Sequence, residues 1–119
     1  MTSVKGRNVF ISGPMTGMTN YNAGAFADAH AELRLLGAGE IYDPVQEWFR
    51  DRKDYAHEEY VRRCVFELAG RRLFQDEPAP RYDVLVQLPH WEASPGATLE
   101  ARVAEAIGMD VVSIEEVTA

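Results

Sequence analysis

Tyr82-Asp83-Val84-Leu85-Val86-Gln87-Leu88-Pro89, then His90-Trp91-Glu92-Ala93-Ser94-Pro95-Gly96, then Ala97 through Gly108 is the stretch from which the fold is read. The first segment is short, apolar and rich in β-branched residues, the pattern of a buried strand. The second is rich in turn formers. The third predicts a helix over 97–107, with Leu99, Val103 and Ile107 on one stripe and Gly108 placed to stop it. In that reading Glu100 falls in the first helical turn. A carboxylate there has two readings. One is a surface group that complements the helix dipole, worth up to about 1 kcal/mol. The other is a reactive group aimed at a pocket beyond the carboxyl end of the strand.

Working outward, Asn8-Val9-Phe10-Ile11-Ser12 predicts a first strand, which runs into the loop Gly13-Pro14-Met15-Thr16-Gly17. A helix is expected from near Asn22, with Phe26, Ala29, His30, Leu33 and Leu36 at helical spacing and Gly37 and Gly39 closing it. Glu40-Ile41-Tyr42-Asp43 predicts a short second strand ended by Pro44. Residues 45–53 look irregular. A second helix is expected from near Asp54, with Tyr60, Val61, Cys64, Val65 and Leu68 inward. Gly70 to Arg81 reads as a loop, and Asp110-Val111-Val112-Ser113-Ile114 as a fourth strand. Strands alternating with helices over short connections imply a parallel sheet covered on both faces. The expected architecture is a small doubly wound, flavodoxin-like α/β domain over residues 1–119, with strand order 2-1-3-4. Ligands in such sheets bind where the order reverses, beyond the carboxyl ends of the first and third strands. That rule brings the 12–17 loop, the 90–96 loop and Glu100 together.

The bulk properties narrow the partners. The chain has 119 residues, is 46% hydrophobic and 26% charged, and carries a formal net charge of −7. A nucleic-acid polymer would meet general repulsion, whereas a small phosphate ester can be held locally by backbone amides at a helix start. The lone Cys64 excludes an internal disulfide, and with His30, His57 and His90 scattered no zinc site is expected. No stretch suggests a membrane span or a signal peptide, so the expected compartment is the cytoplasm.

The glycines of Gly13 to Gly17 let amides crowd a phosphate or a sugar hydroxyl, with Ser12 and Thr16 adding donors. A tight connection that needed glycine for geometry explains them equally well, and the Lys-Ser/Thr of a P-loop is absent. Ser94 either caps the last helix or, with the Gly96 amide, binds an anion at its positive end.

Taken together, Ile11-Ser-Gly-Pro-Met-Thr-Gly17, Tyr21-Asn22, Phe26, Asp43-Pro44, Tyr60-Val-Arg-Arg63 and Leu88-Pro-His-Trp-Glu-Ala-Ser-Pro-Gly-Ala-Thr-Leu-Glu100 resemble the nucleoside 2-deoxyribosyltransferase-like superfamily. The nearest branch is a small one from bacteria and phages, mostly of unknown function; 2′-deoxynucleoside 5′-phosphate N-hydrolases are more distant. The resemblance implies that Glu100 is a nucleophile that holds a 2-deoxyribosyl group as a covalent ester before water or another base displaces it. It implies substrate contacts from Ser12, Gly13, Met15, Thr16, Gly17, Tyr21, Ser94 and Gly96. It implies a nucleoside or nucleotide as ligand, no cofactor or metal, and a homodimer or higher homo-oligomer. One departure stands out. Where the superfamily places an aspartate after the Arg-Arg pair, this chain has Cys64, a poor substitute as an acceptor. Cys64, Glu92 and Arg63 are the supporting candidates, with Asp76 and Glu77 as weaker alternatives. A site with that change is either an N-glycosidase or transferase, or a nucleotide-binding protein that has lost turnover.

Overall fold

The computed structural model describes residues 1–51, 56–70 and 79–118. In chain order the elements are β1 (Thr2–Ser3), β2 (Val9–Ser12), α1 (Ala23–Leu35), β3 (Ile41–Tyr42), α2 (Pro44–Asp51), α3 (His57–Leu68), β4 (Val84–Gln87), α4 (Pro95–Ala106), β5 (Asp110–Ser113) and β6 (Val117–Thr118). A four-stranded sheet runs β3-β2-β4-β5, all parallel, with Val9 level with Val84 and Ser12 level with Gln87. This is the doubly wound α/β fold and strand order expected for the four main strands. The short pair β1-β6, also parallel, forms a separate two-stranded sheet that the residue pattern does not announce.

The two central strands are buried on both faces, and the period of two sorts their side chains. Val9, Ile11, Val84 and Val86 face α1, where they pack with Phe26, Ala29 and Leu33. Phe10 and Leu85 face the other way, against Cys64 and Leu68 of α3 and Ala104 of α4. Ser12 and Gln87 continue that second face to the carboxyl edge. The amino edge is fastened by polar clasps. The Asn8 amide donates to Asp83 Oδ2 at 2.8 Å, and Arg7 pairs with Asp110 at 2.7 Å. Asp83 is thus structural.

Three expectations need correction. Residues 44–51 form α2 instead of an irregular segment. Its start follows from Asp43, whose Oδ1 accepts from the amides of Val45 and Gln46, with Pro44 as the first helical residue. Second, α4 begins at Pro95, two residues before the predicted start, because Pro95 presets the first turn and Ser94 caps it. Glu100 is therefore in the second turn, where the dipole has little effect on it. Third, α4 buries Ala97, Glu100, Ala101 and Ala104; of the expected stripe, Val103 and Ile107 pack partly buried against the core, while Leu99 is 42% exposed. Small side chains let α4 lie close against the sheet, and that closeness buries Glu100. The expected start of the second helix at Asp54 and the bulk of the 70–81 loop, including Asp76 and Glu77, lie outside the described residues.

Candidate active site

Among the described residues the buried polar or charged side chains are Ser12, Asp43, Gln87 and Glu100. The first three sit at or just past the carboxyl ends of β2, β3 and β4. Glu100 reaches the same edge from α4, because helical side chains lean toward the helix start and over the preceding turn. A buried polar group is expensive unless paired. Their concentration at one edge of the sheet marks where the fold departs from a purely apolar interior.

Glu100 is only 8% exposed. Ser12 Oγ donates to its Oε1 at 2.7 Å, and the Cys64 thiol hydrogen-bonds to the same carboxyl group. Burial raises the Glu100 pKa to about 7 from 4.5, and the Ser12 and Cys64 bonds oppose the rise without cancelling it. Around neutrality the group is divided between acid and carboxylate. Its ionised form is available as a nucleophile, poorly solvated and held in place by a donor.

Cys64 is driven the other way from reactivity. Burial first, and then the facing Glu100 charge, push its thiol well above the ordinary range. It stays protonated and acts as a weak donor, not as the acceptor that an aspartate would be. Tyr60 is likewise held protonated, chiefly by burial and next by Cys64. Its hydroxyl donates to Met15 Sδ at 2.7 Å, fastening the first loop to α3.

These groups enclose a cavity of about 30 Å³ lined by Gly13, Met15, Thr16, Pro44, His57, Tyr60, Val61, Cys64, Ser94, Gly96, Ala97 and Glu100. The volume suits about one water molecule. It joins two wider spaces through shared walls. A groove of about 280 Å³ lies outward past His57, Val61 and Gly96. A groove of about 880 Å³ lies along the α3 flank and shares Pro44, Tyr60, Val61 and Cys64. The large groove has the room for a drug-sized ligand, but Glu100 lines the small cavity. Glu100 therefore stands at the junction and not in the larger space.

Of the residues expected at the site, Gly13, Met15, Thr16, Ser94, Gly96, Cys64 and Glu100 line this cavity together, and Ser12 touches Glu100 beneath it. Gly13 owes its identity to packing, since a Cβ there would stand 2.8 Å from Leu88 Cβ. Gly17 owes its identity to backbone, with φ of +80° and open space around it. Ser94 Oγ accepts from the Ala97 amide at 3.2 Å, which is the capping arrangement, and its own hydroxyl proton is not used by that bond. Gly96 lies in the same first turn, whose amides have no carbonyl of their own helix to meet. Gly17 and Tyr21 are not among the cavity walls; Tyr21 lies in a run, Asn20 to Asn22, with three consecutive left-handed residues. Glu92 is exposed in a short 3-10 turn, Trp91–Ala93, away from the walls. Arg63 lines the large groove and pairs with Glu59. His57, at the start of α3, is a wall residue that the sequence pattern left among scattered histidines. Its Nδ1 is 3.1 Å from Thr16 Oγ1.

Among the described residues no cluster of His, Cys, Asp and Glu is arranged to hold a metal ion, and no helix is long and apolar enough to cross a membrane. The molecule is a doubly wound α/β protein with a buried carboxyl group at its topological switch point. A family model described as Domain of unknown function (DUF4406) matches residues 7–113, and the chain belongs to that family. Neither a curated protein nor a solved structure matches it.

Proposed function

We propose that this protein is an N-glycosidase or deoxyribosyltransferase acting on 2′-deoxynucleosides or their 5′-monophosphates, with Glu100 as the nucleophile. The observation that carries the proposal is the Glu100 carboxyl group, buried and held by Ser12 at the switch point between two glycine-containing loops. A buried acid with a raised pKa and a single strong partner stands where a structural role would favour an apolar residue or full pairing. Sequence resemblance supplies the reaction class. Carboxylate attack at the anomeric carbon breaks the bond to the base, and water or a second base then displaces the enzyme ester. Sugar hydroxyls would meet Ser12 and Thr16. A 5′-phosphate would meet the Ser94 hydroxyl and the amides of the first turn of α4.

A sugar is larger than the cavity of about 30 Å³, so on this reading substrate binding widens it between α3 and the first loop. The contacts in the way are Tyr60 with Met15 and His57 with Thr16. Each is a single side-chain contact, which is cheap to exchange for ligand contacts.

The second reading is a nucleotide-binding protein without turnover, and the observation favouring it is Cys64 beside Glu100. A thiol does not supply the acceptor an aspartate would. Incubation of the parent and Glu100→Gln with a panel of deoxynucleosides and deoxynucleotides separates the two. Free base released by the parent and not by the variant supports catalysis. A ligand that raises the melting temperature and is recovered intact supports binding alone.

A further inference from the structure

A glycosyl transfer at Glu100 needs a second group to handle the proton of the departing base, and Cys64 cannot be that group. The cavity walls contain four titratable side chains, namely His57, Tyr60, Cys64 and Glu100. Glu100 is committed to attack under the proposed function. Tyr60 and Cys64 are both held in their protonated forms by burial. Imidazole is the remaining side chain, and as a residue type it gives and takes protons readily near neutrality.

The placement of His57 suits the task. His57, Tyr60, Val61 and Cys64 are spaced i, i+3, i+4 and i+7 along α3, so one stripe of that helix forms one wall of the cavity. Cys64 is at the inner end of the stripe beside Glu100, and His57 is at the outer end, about 10 Å further along the helix axis at 1.5 Å per residue. In an O-glycosidase the acid sits close to the nucleophile, with carboxyl groups about 5 Å apart in retaining enzymes, because the leaving oxygen is bonded directly to the anomeric carbon. A nucleobase accepts its proton at a ring atom remote from the glycosidic nitrogen, so its donor must stand further off. His57 also borders the outer groove with Glu58, Val61, Pro95, Gly96 and Leu99, where a departing base has room. The charged or titratable groups beside it are Glu58 on its own helix and Tyr60, Cys64 and Glu100 in the cavity; the α4 residues in the outer groove are uncharged. The ring is anchored at Nδ1, 3.1 Å from Thr16 Oγ1; in the imidazolium form Nδ1–H donates to that hydroxyl, and the Nε2 proton is the one presented to the base.

We infer that His57 is the acid–base residue of this site, a role that rests on the glycosyl-transfer reading of Glu100. In the first step a Glu100 oxygen bonds to C1′ while the C1′–N bond breaks with its electron pair on the base. The His57 imidazolium proton passes to the base, which leaves neutral. In the second step neutral His57 takes a proton from water as the water oxygen bonds to C1′, and the Glu100 carboxylate departs. The proton count returns to its starting value, and no other reactant is consumed.

The test compares two donors that differ in their need for a proton. One is a purine 2′-deoxynucleotide, and the other is p-nitrophenyl 2-deoxyriboside, whose leaving group departs as an anion. For His57→Ala the expected kcat/KM falls by about 10²- to 10⁴-fold on the purine donor and changes little on the nitrophenyl donor. Imidazole added to the buffer should restore part of the purine rate. His57→Gln and thermal melts of both variants report whether the fold is kept. An equal loss on both donors, or no loss on either, from a variant that melts like the parent overturns the role of His57 and leaves Glu100 as nucleophile. A parent that cleaves neither donor overturns both readings.

Discussion

Replacing Glu100 with Gln should stabilise the protein at alkaline pH and leave it nearly unchanged in mild acid. The raised pKa of Glu100 means that the folded state holds its proton more tightly than the unfolded chain does. Between pH 4.5 and about 7 the unfolded side chain has ionised while the folded one has not. Stability from this group is therefore fully present below pH 4.5 and is lost as the pH rises through about 7. Each tenfold in proton affinity is worth about 1.4 kcal/mol, so the full effect is about 3 kcal/mol, most of it falling between pH 5 and 8. Glutamine has nearly the same shape, and its carbonyl oxygen accepts from Ser12, but it does not titrate. Urea unfolding of parent and variant at pH 5 and pH 8 gives the difference directly. Other carboxyl groups titrate in both proteins and cancel. The expected result is a variant whose advantage over the parent is small at pH 5 and grows to about 3 kcal/mol at pH 8. A difference that does not change with pH would show that Glu100 ionises as an exposed acid does. Glu100 would then not be a buried, poised carboxyl group.

Two further outcomes follow from the walls of the cavity. Gly13→Ala places a Cβ within 2.8 Å of Leu88 Cβ, so it should cost about 1–3 kcal/mol in urea unfolding. Trimming Leu88 to Ala should not restore that loss, because the obstructing atom remains; recovery in the double variant would refute the packing account of Gly13. Cys64 should react with a thiol reagent at pH 8 far more slowly in the native protein than in urea, since it is buried and its thiol is held protonated. Native labelling at the rate of the unfolded chain would contradict this.

Much of the fold was legible because the strands carry their own signature. Val84 to Gln87 and Val9 to Ser12 are short and apolar on both faces, which only a sheet covered on both sides accommodates. Their order followed from short connections and right-handed crossovers. The convergence of the two loops on Glu100 was then a consequence of topology. What failed was local. Asp43-Pro44 is a helix start in residue type, but the short strand just before it led the proline to be read as a stop. The start of α4 was placed late for a related reason: Ser94 was offered as a cap, but Pro95-Gly96 was read as loop when Pro95 is the first helical residue. The inward stripe of α4 was legible in part: Val103 and Ile107 do pack against the core, but Leu99, the most apolar residue of its turn, does not, because close approach to the sheet selects alanine. His57 offered no signal at all. Its place depends on where α3 begins relative to the first loop, a tertiary relation that spacing along the chain does not encode.

The proposed chemistry stands on one bond, from Glu100 to C1′ of a sugar. Intact-mass spectrometry of the protein quenched in acid soon after mixing with a deoxynucleotide panel tests it most directly. The expected result is a mass increase equal to the 2-deoxyribosyl or 2-deoxyribosyl-phosphate group, mapping to the peptide that contains Glu100 and absent from Glu100→Gln. An adduct on another residue, or base release by the parent that persists in Glu100→Gln, would contradict it.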